Sequence, residues 1–126
     1  MAPKYAVEKV VAAARSGAVE LVGSRARDIV LQYVDGLLEA VMFAQALVGS
    51  LRLEHFQETV KLDPPHAGDF DVYICPLEPE LIAKHRLEHV KDWYVKLQLI
   101  EDENGDSVLV VSMHPPEKPA NPRRKK

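Results

Sequence analysis

Three side chains near the end of the sequence have types and spacing suited to acid–base work on a phosphate. Tyr94 and Lys96 stand two apart in Trp93–Ile100, where Trp93, Val95, Leu97 and Leu99 alternate with Tyr94, Lys96, Gln98 and Ile100. On a strand these two side chains point the same way. The next stretch, Ser107–Met113, is rich in β-branched residues and runs into His114. Between the two lies Glu101–Asp106, which contains Asn104-Gly105, a pair that readily takes the positive-φ conformations of a tight hairpin. Antiparallel pairing of the two strands would bring a phenol, an ammonium and an imidazole together. RNA cleavage without a metal needs three such functions: a base for the ribose 2′-hydroxyl, a cation for the crowded phosphate and an acid for the departing 5′-oxygen. An unperturbed imidazole titrates near neutrality, so His114 could act as acid or base, with Lys96 stabilising the phosphate and Tyr94 orienting it or stacking on a base. Polar residues sharing one sheet face are more often merely solvated, so the spacing by itself is a weak signal.

Other constellations carry less. His85 and His89 stand four apart and could project from one helix face, but no third ligand is near and Arg86-Leu87-Glu88 lacks the order of a zinc-protease motif, so no metal is expected. The carboxylates Glu101, Asp102, Glu103 and Asp106 fit a solvated hairpin tip better than a catalytic pair. Cys75 is the only cysteine and reads as a packing residue in a strand. No glycine-rich phosphate loop is apparent, and no cofactor is expected.

The elements that must hold these groups follow from periodicity. Tyr5, Val7, Val10, Val11 and Ala14 predict a helix over Tyr5–Ser16, stopped by Gly17, and Ala18–Val22 a brief edge strand between glycines. Ser24 is expected to cap a helix whose buried stripe is Ile29, Val30 and Tyr33, and a further helix is expected over Leu37–Val48. Phe56–Leu62 and Phe70–Cys75 read as strands, the first stopped by Asp63-Pro64-Pro65, and Glu80–Val90 as a short surface helix. The sum is an α+β domain, N-terminal helices packed on a small twisted antiparallel sheet.

With 126 residues and 47% hydrophobic content, the chain suits a single packed core, here residues 1–114. No apolar run approaches the ~20 residues that span a bilayer, and a cytoplasmic protein with no membrane partner is expected. The net charge is −3. Five of the basic residues and one acid lie in the Pro-rich segment 115–126, leaving 11 basic against 18 acidic residues and a charge of −7 in residues 1–114. That balance argues against coating nucleic acid by bulk electrostatics but leaves room for a local basic cleft. Residues 115–126 read as a basic, disordered tail.

Several short stretches, in order along the chain, resemble the MqsR (motility quorum-sensing regulator) toxins, RelE-like mRNA interferases of toxin–antitoxin pairs. Pro3-Lys4-Tyr5, Val10 and Ser16–Val19 look like that family's opening helix and strand. Leu53–Val60 is similar to its "DFYKSMT" segment, Asp71-Val72-Tyr73 to its "DVY", Tyr94-Val95-Lys96 to its "YLK" and Val110–His114 to its closing "IVSFK". The resemblance implies a RelE-like fold, cleavage of single-stranded mRNA without metal, and restraint by a cognate antitoxin protein. Tyr94 falls on the family tyrosine. Glu58 falls on the lysine of "FYK" and His114 on the final-strand lysine, exchanges that leave acid–base capacity with altered partners. On this reading Tyr94, Lys96, His114 and Glu58 form the catalytic set and Lys61, His66 and Tyr73 the substrate-binding set. Lys61 would replace the missing cation only if a bulge turned it to the face of Glu58. The alternative is a catalytically reduced relative that serves as a protein-binding or regulatory module.

Overall fold

The structure is a computed structural model, and it describes residues 2–116. Residues 117–126 of the expected tail lie outside the described residues. Four helices and a five-stranded mixed sheet follow the order α1 (Val7–Arg15), β1 (Val19–Leu21), α2 (Ser24–Val30), α3 (Leu37–Val48), β2 (Phe56–Leu62), β3 (Gly68–Pro76), α4 (Pro79–His85), β4 (Asp92–Ile100) and β5 (Ser107–His114), with one 3₁₀ turn at Leu53–His55. Across the sheet the strands run β1-β5-β4-β3-β2. Four strands pair antiparallel as expected, but β1 runs parallel to β5, with Val19 opposite Val108 and Leu21 opposite Val110. The expectation of a wholly antiparallel sheet is corrected there. The first strand lies beside the last, and α2 therefore leaves β1 directly over β5.

One face of the sheet is covered by helices. Val10, Ala13 and Ala14 of α1 and Ala40, Phe43, Ala44, Leu47 and Val48 of α3 bury against Tyr73, Cys75, Trp93, Val95, Leu97, Leu99, Val108, Val110 and Met113. Trp93 is the hub of this core, with Phe43 packed edge-on at 4.9 Å and Tyr33 at 5.2 Å. Such pairs contribute about 0.5–1.5 kcal/mol beyond simple burial. The alternation read along Trp93–Ile100 appears as expected, its odd positions buried and Tyr94, Lys96 and Gln98 half-exposed on the opposite face.

Asp71 fixes the N-terminal segment to the sheet. It is the one fully buried charged residue among those described, and it accepts hydrogen bonds from the backbone amides of Lys4 (3.0 Å) and Tyr5 (2.9 Å) and from the Thr59 hydroxyl. Three donors satisfy a carboxylate that water no longer reaches.

The second face is partly roofed. The turn joining β2 and β3 carries His66 over the sheet toward the opposite edge, where His66 Nε2 lies 3.2 Å from the position a Cβ on Gly23 would take. Gly68 passes so close to Gln98 that a Cβ would stand 2.8 Å from its Nε2. Its φ of 116° excludes most other residues as well. Beneath this arch Phe70 and Val72 are each 1% exposed, a small second core outside the main one.

Two helix expectations change. Ser24 is the first residue of α2 and makes no capping bond, the N-cap being Gly23. The helix over Glu80–Val90 ends at His85, because Arg86 takes a left-handed conformation with φ 57° and ψ 52°. His85 and His89 therefore do not share a helix face, and no cluster of metal-ligating side chains occurs among the described residues. Nor is any described helix long and apolar enough to cross a membrane.

Candidate functional site

Two β-bulges decide which side chains share the partly open face. On β5, Val108 and Val110 are buried in the core, and strict alternation would send Ser112 and His114 there too. Instead Leu97 pairs with Val110 and Lys96 with Ser112, so Val111 is the extra residue of a bulge. Alternation resumes one step later: Met113 is buried and His114 pairs with Tyr94 on the opposite face. On β2 a second bulge falls at Gln57, between Phe56, opposite Tyr73, and Glu58, opposite Val72. It likewise turns Glu58 from the core side to the side of Tyr94.

Tyr94, Lys96 and His114 thus converge. The rings of Tyr94 and His114 stack at 4.7 Å with 16° between their planes, and Lys96 Nζ lies 5.9 Å from the Tyr94 ring centroid. That distance is near the outer limit of a useful cation–π contact. His114 Nδ1 is 2.8 Å from the Pro115 carbonyl oxygen. A carbonyl can only accept, so in this contact Nδ1 is the donor and Nε2 is the ring nitrogen not engaged by Pro115. All three residues are half-exposed.

The remaining residues expected at the site fall elsewhere. Glu58 belongs to the cross-strand row Glu58-Val72-Lys96-Ser112, two strands from Lys96, or about 10 Å at the usual strand spacing. Lys61 pairs with Asp69 and points to the other side, because the bulge precedes Glu58 instead of separating it from Lys61. It cannot replace the missing cation at Glu58. His66 sits in the β2–β3 arch beside Gly23, two residues before Arg25. Tyr73 is fully buried against Phe56 on the helix side of the sheet, so its assignment to substrate binding is corrected. Burial holds its phenol above the ordinary tyrosine range, with the Asp71 and Glu8 carboxylates adding to the effect. No partner reaches its hydroxyl among the described residues.

Arg25 is a cation the sequence reading missed. It is exposed on α2 and, with Ile29, Ser112 and His114, lines a cavity of about 300 Å³ at the end of β5. Nothing in the spacing linked Arg25 to His114, because they meet only through the parallel β1–β5 pairing that lays α2 across β5. An imidazole, a phenol, an ammonium and a guanidinium are group types able to bind a phosphate and exchange protons with its neighbours.

Searches against protein-family models, curated proteins and solved structures find no match to this chain.

Proposed function

We propose that this domain is a metal-independent endoribonuclease, an mRNA interferase toxin of RelE-like fold that acts on single-stranded mRNA in the cytoplasm and is held inactive by a cognate antitoxin protein. The observation that carries the reading is the stacking of His114 on Tyr94 with Lys96 above the same ring. The bulge at Val111 brings His114 to that face, and β-bulges recur where a strand must re-aim a side chain beside a site.

In the proposed reaction, His114 Nε2 takes the proton of the ribose 2′-hydroxyl. The 2′-oxygen forms a bond to phosphorus while the bond to the 5′-oxygen breaks, and Lys96 and Arg25 offset the charge gathering on the phosphate. The Tyr94 hydroxyl is a neighbouring group able to return a proton to the departing oxygen. The products are a 2′,3′-cyclic phosphate and a free 5′-hydroxyl, with no water consumed.

A second reading, a catalytically reduced binding module, is favoured by Glu58, an acid where the resembled family has a lysine. Controlled expression separates the two. The nuclease reading expects growth arrest on induction, relieved in the His114→Ala, Tyr94→Ala double variant. Healthy growth with intact transcripts at high expression would favour the binding module.

A further inference from the structure

A chain of cavities leads away from His114. The first, between α2 and the end of β5, holds Arg25, Ser112 and His114. The second, about 510 Å³, shares Arg25 and His114 with it and adds Gln32, Tyr33 and Pro115. The third, about 380 Å³, is lined by Tyr33, Val34 and Asp35 and by Lys84, His85 and Arg86. The path therefore runs from the proposed reacting imidazole, past a guanidinium and an aromatic ring, to three consecutive basic-type residues at the end of α4.

We infer that this path is the track for nucleotides flanking the cleaved bond, with one base stacking on Tyr33 and the backbone phosphate beyond it meeting Arg86. The inference rests on the endoribonuclease reading and extends it to how the strand is held.

Three features of the track support it. Tyr33 is half-exposed, yet its ring is held in a T-shaped contact with the fully buried Trp93, the centroids 5.2 Å apart and the planes at 80°. A ring oriented by the core is a preformed platform, and stacking on such a platform tolerates any base. Among the described residues, neither Arg25 nor Arg86 forms a salt bridge, whereas Lys84 is engaged by Glu39 at 3.2 Å. Two guanidiniums in an otherwise acidic body are thus available to phosphates. Arg86 is also the one non-glycine residue of positive φ among those described. Glycine would end α4 there without strain, so Arg86 stands at a position where its side chain is costly to the fold.

The test uses the full chain and 2′-O-methyl oligouridines, which lack the nucleophile and cannot be cleaved, in a fluorescence anisotropy titration. One probe is a dinucleotide and the other has about 12 nucleotides, within the site sizes of single-strand binders. The long probe is expected to bind at least about tenfold more tightly. In Arg86→Ala and Arg86→Gly this advantage should shrink about fivefold, and the salt dependence of long-probe binding should lose close to one phosphate's worth, a slope of about 0.7. Tyr33→Leu, which keeps an apolar contact with Trp93, should lose a similar factor, while Tyr33→Phe should keep the stacking.

Equal affinity for both probes, or an advantage untouched in both Arg86 variants, would overturn the track. So would unchanged RNA affinity in variants that lose a protein partner, which would assign the cavities to that partner. Cleavage of unmodified RNA by the same samples keeps the two proposals apart. Cleavage that needs His114 without a length advantage sinks the track alone, and a length advantage sensitive to Arg86 without cleavage sinks the nuclease alone.

Discussion

Replacing Tyr73 by phenylalanine separates what the core needs from what the site needs. The Tyr73 ring is fully buried between Phe56 and the helices, and its hydroxyl oxygen has no hydrogen-bond partner among the described residues. A buried hydroxyl with no partner costs about 1–3 kcal/mol, so Tyr73→Phe, which keeps the ring and drops the oxygen, should stabilise the fold by about 1 kcal/mol. For a domain of this size that corresponds to a rise of about 3–6 °C in Tm.

A pH signature accompanies the gain. Burial, with Asp71 and Glu8 adding to it, holds the folded Tyr73 phenol above its unfolded value. Above the unfolded value the unfolded chain releases the proton and the folded chain keeps it, so stability is fully present below about pH 10 and falls as the pH rises further. Urea unfolding at neutral pH and again near pH 11 measures both effects. The variant should be more stable at neutral pH, with a larger margin at the alkaline end and unchanged RNA cleavage. A loss of 1 kcal/mol or more in Tyr73→Phe would mean the hydroxyl has a partner and would refute the reasoning.

Asp71→Ala strips the acceptor from two backbone amides and the Thr59 hydroxyl, and should cost about 3 kcal/mol in urea unfolding, with faster hydrogen exchange at the Lys4 and Tyr5 amides. A cost below 1 kcal/mol would show that the N-terminal segment is held by something else. Arg86→Gly removes the strain of a left-handed non-glycine residue and should raise stability by about 1 kcal/mol, even as it weakens binding of long RNA. Cys75 is buried and its thiol is raised by that burial, with Ser50 opposing, so iodoacetamide should label it only as fast as the domain unfolds. Rapid labelling of the folded protein would place Cys75 at the surface.

How far the sequence discloses this structure depends on whether a residue's face follows from period alone. Trp93–Ile100 alternates cleanly, and its buried and open sides could be read directly. Phe70–Cys75 could not be read that way, because the arch covers its second face and Phe70 and Val72 are as buried as Tyr73 and Cys75. Only the resemblance puts Tyr73 at the substrate, and its burial returns it to the core. The bulges at Gln57 and Val111 leave no mark in composition, although they bring Glu58 and His114 to the face of Tyr94. The parallel pairing of β1 was hidden for a different reason: a three-residue strand has too little pattern to specify direction, and its partner lies at the far end of the chain. Arg25 was missed as a consequence. The end of α4 was misread because an arginine stands where the sequence would ordinarily signal a stop with glycine.

If His114, Tyr94 and Lys96 cut an RNA phosphodiester by transferring protons and stabilising charge, the ends of the RNA product report it most directly. Purified protein incubated with a labelled single-stranded RNA in the presence of a chelator should yield fragments ending in 2′,3′-cyclic phosphate. Loss of one positioned acid–base group typically removes about 10²–10⁴-fold of rate, so His114→Ala should fall by at least about a hundredfold while keeping the wild-type circular dichroism spectrum. Cleavage at the wild-type rate in His114→Ala, or fragments bearing 3′-hydroxyl and 5′-phosphate ends, would contradict it.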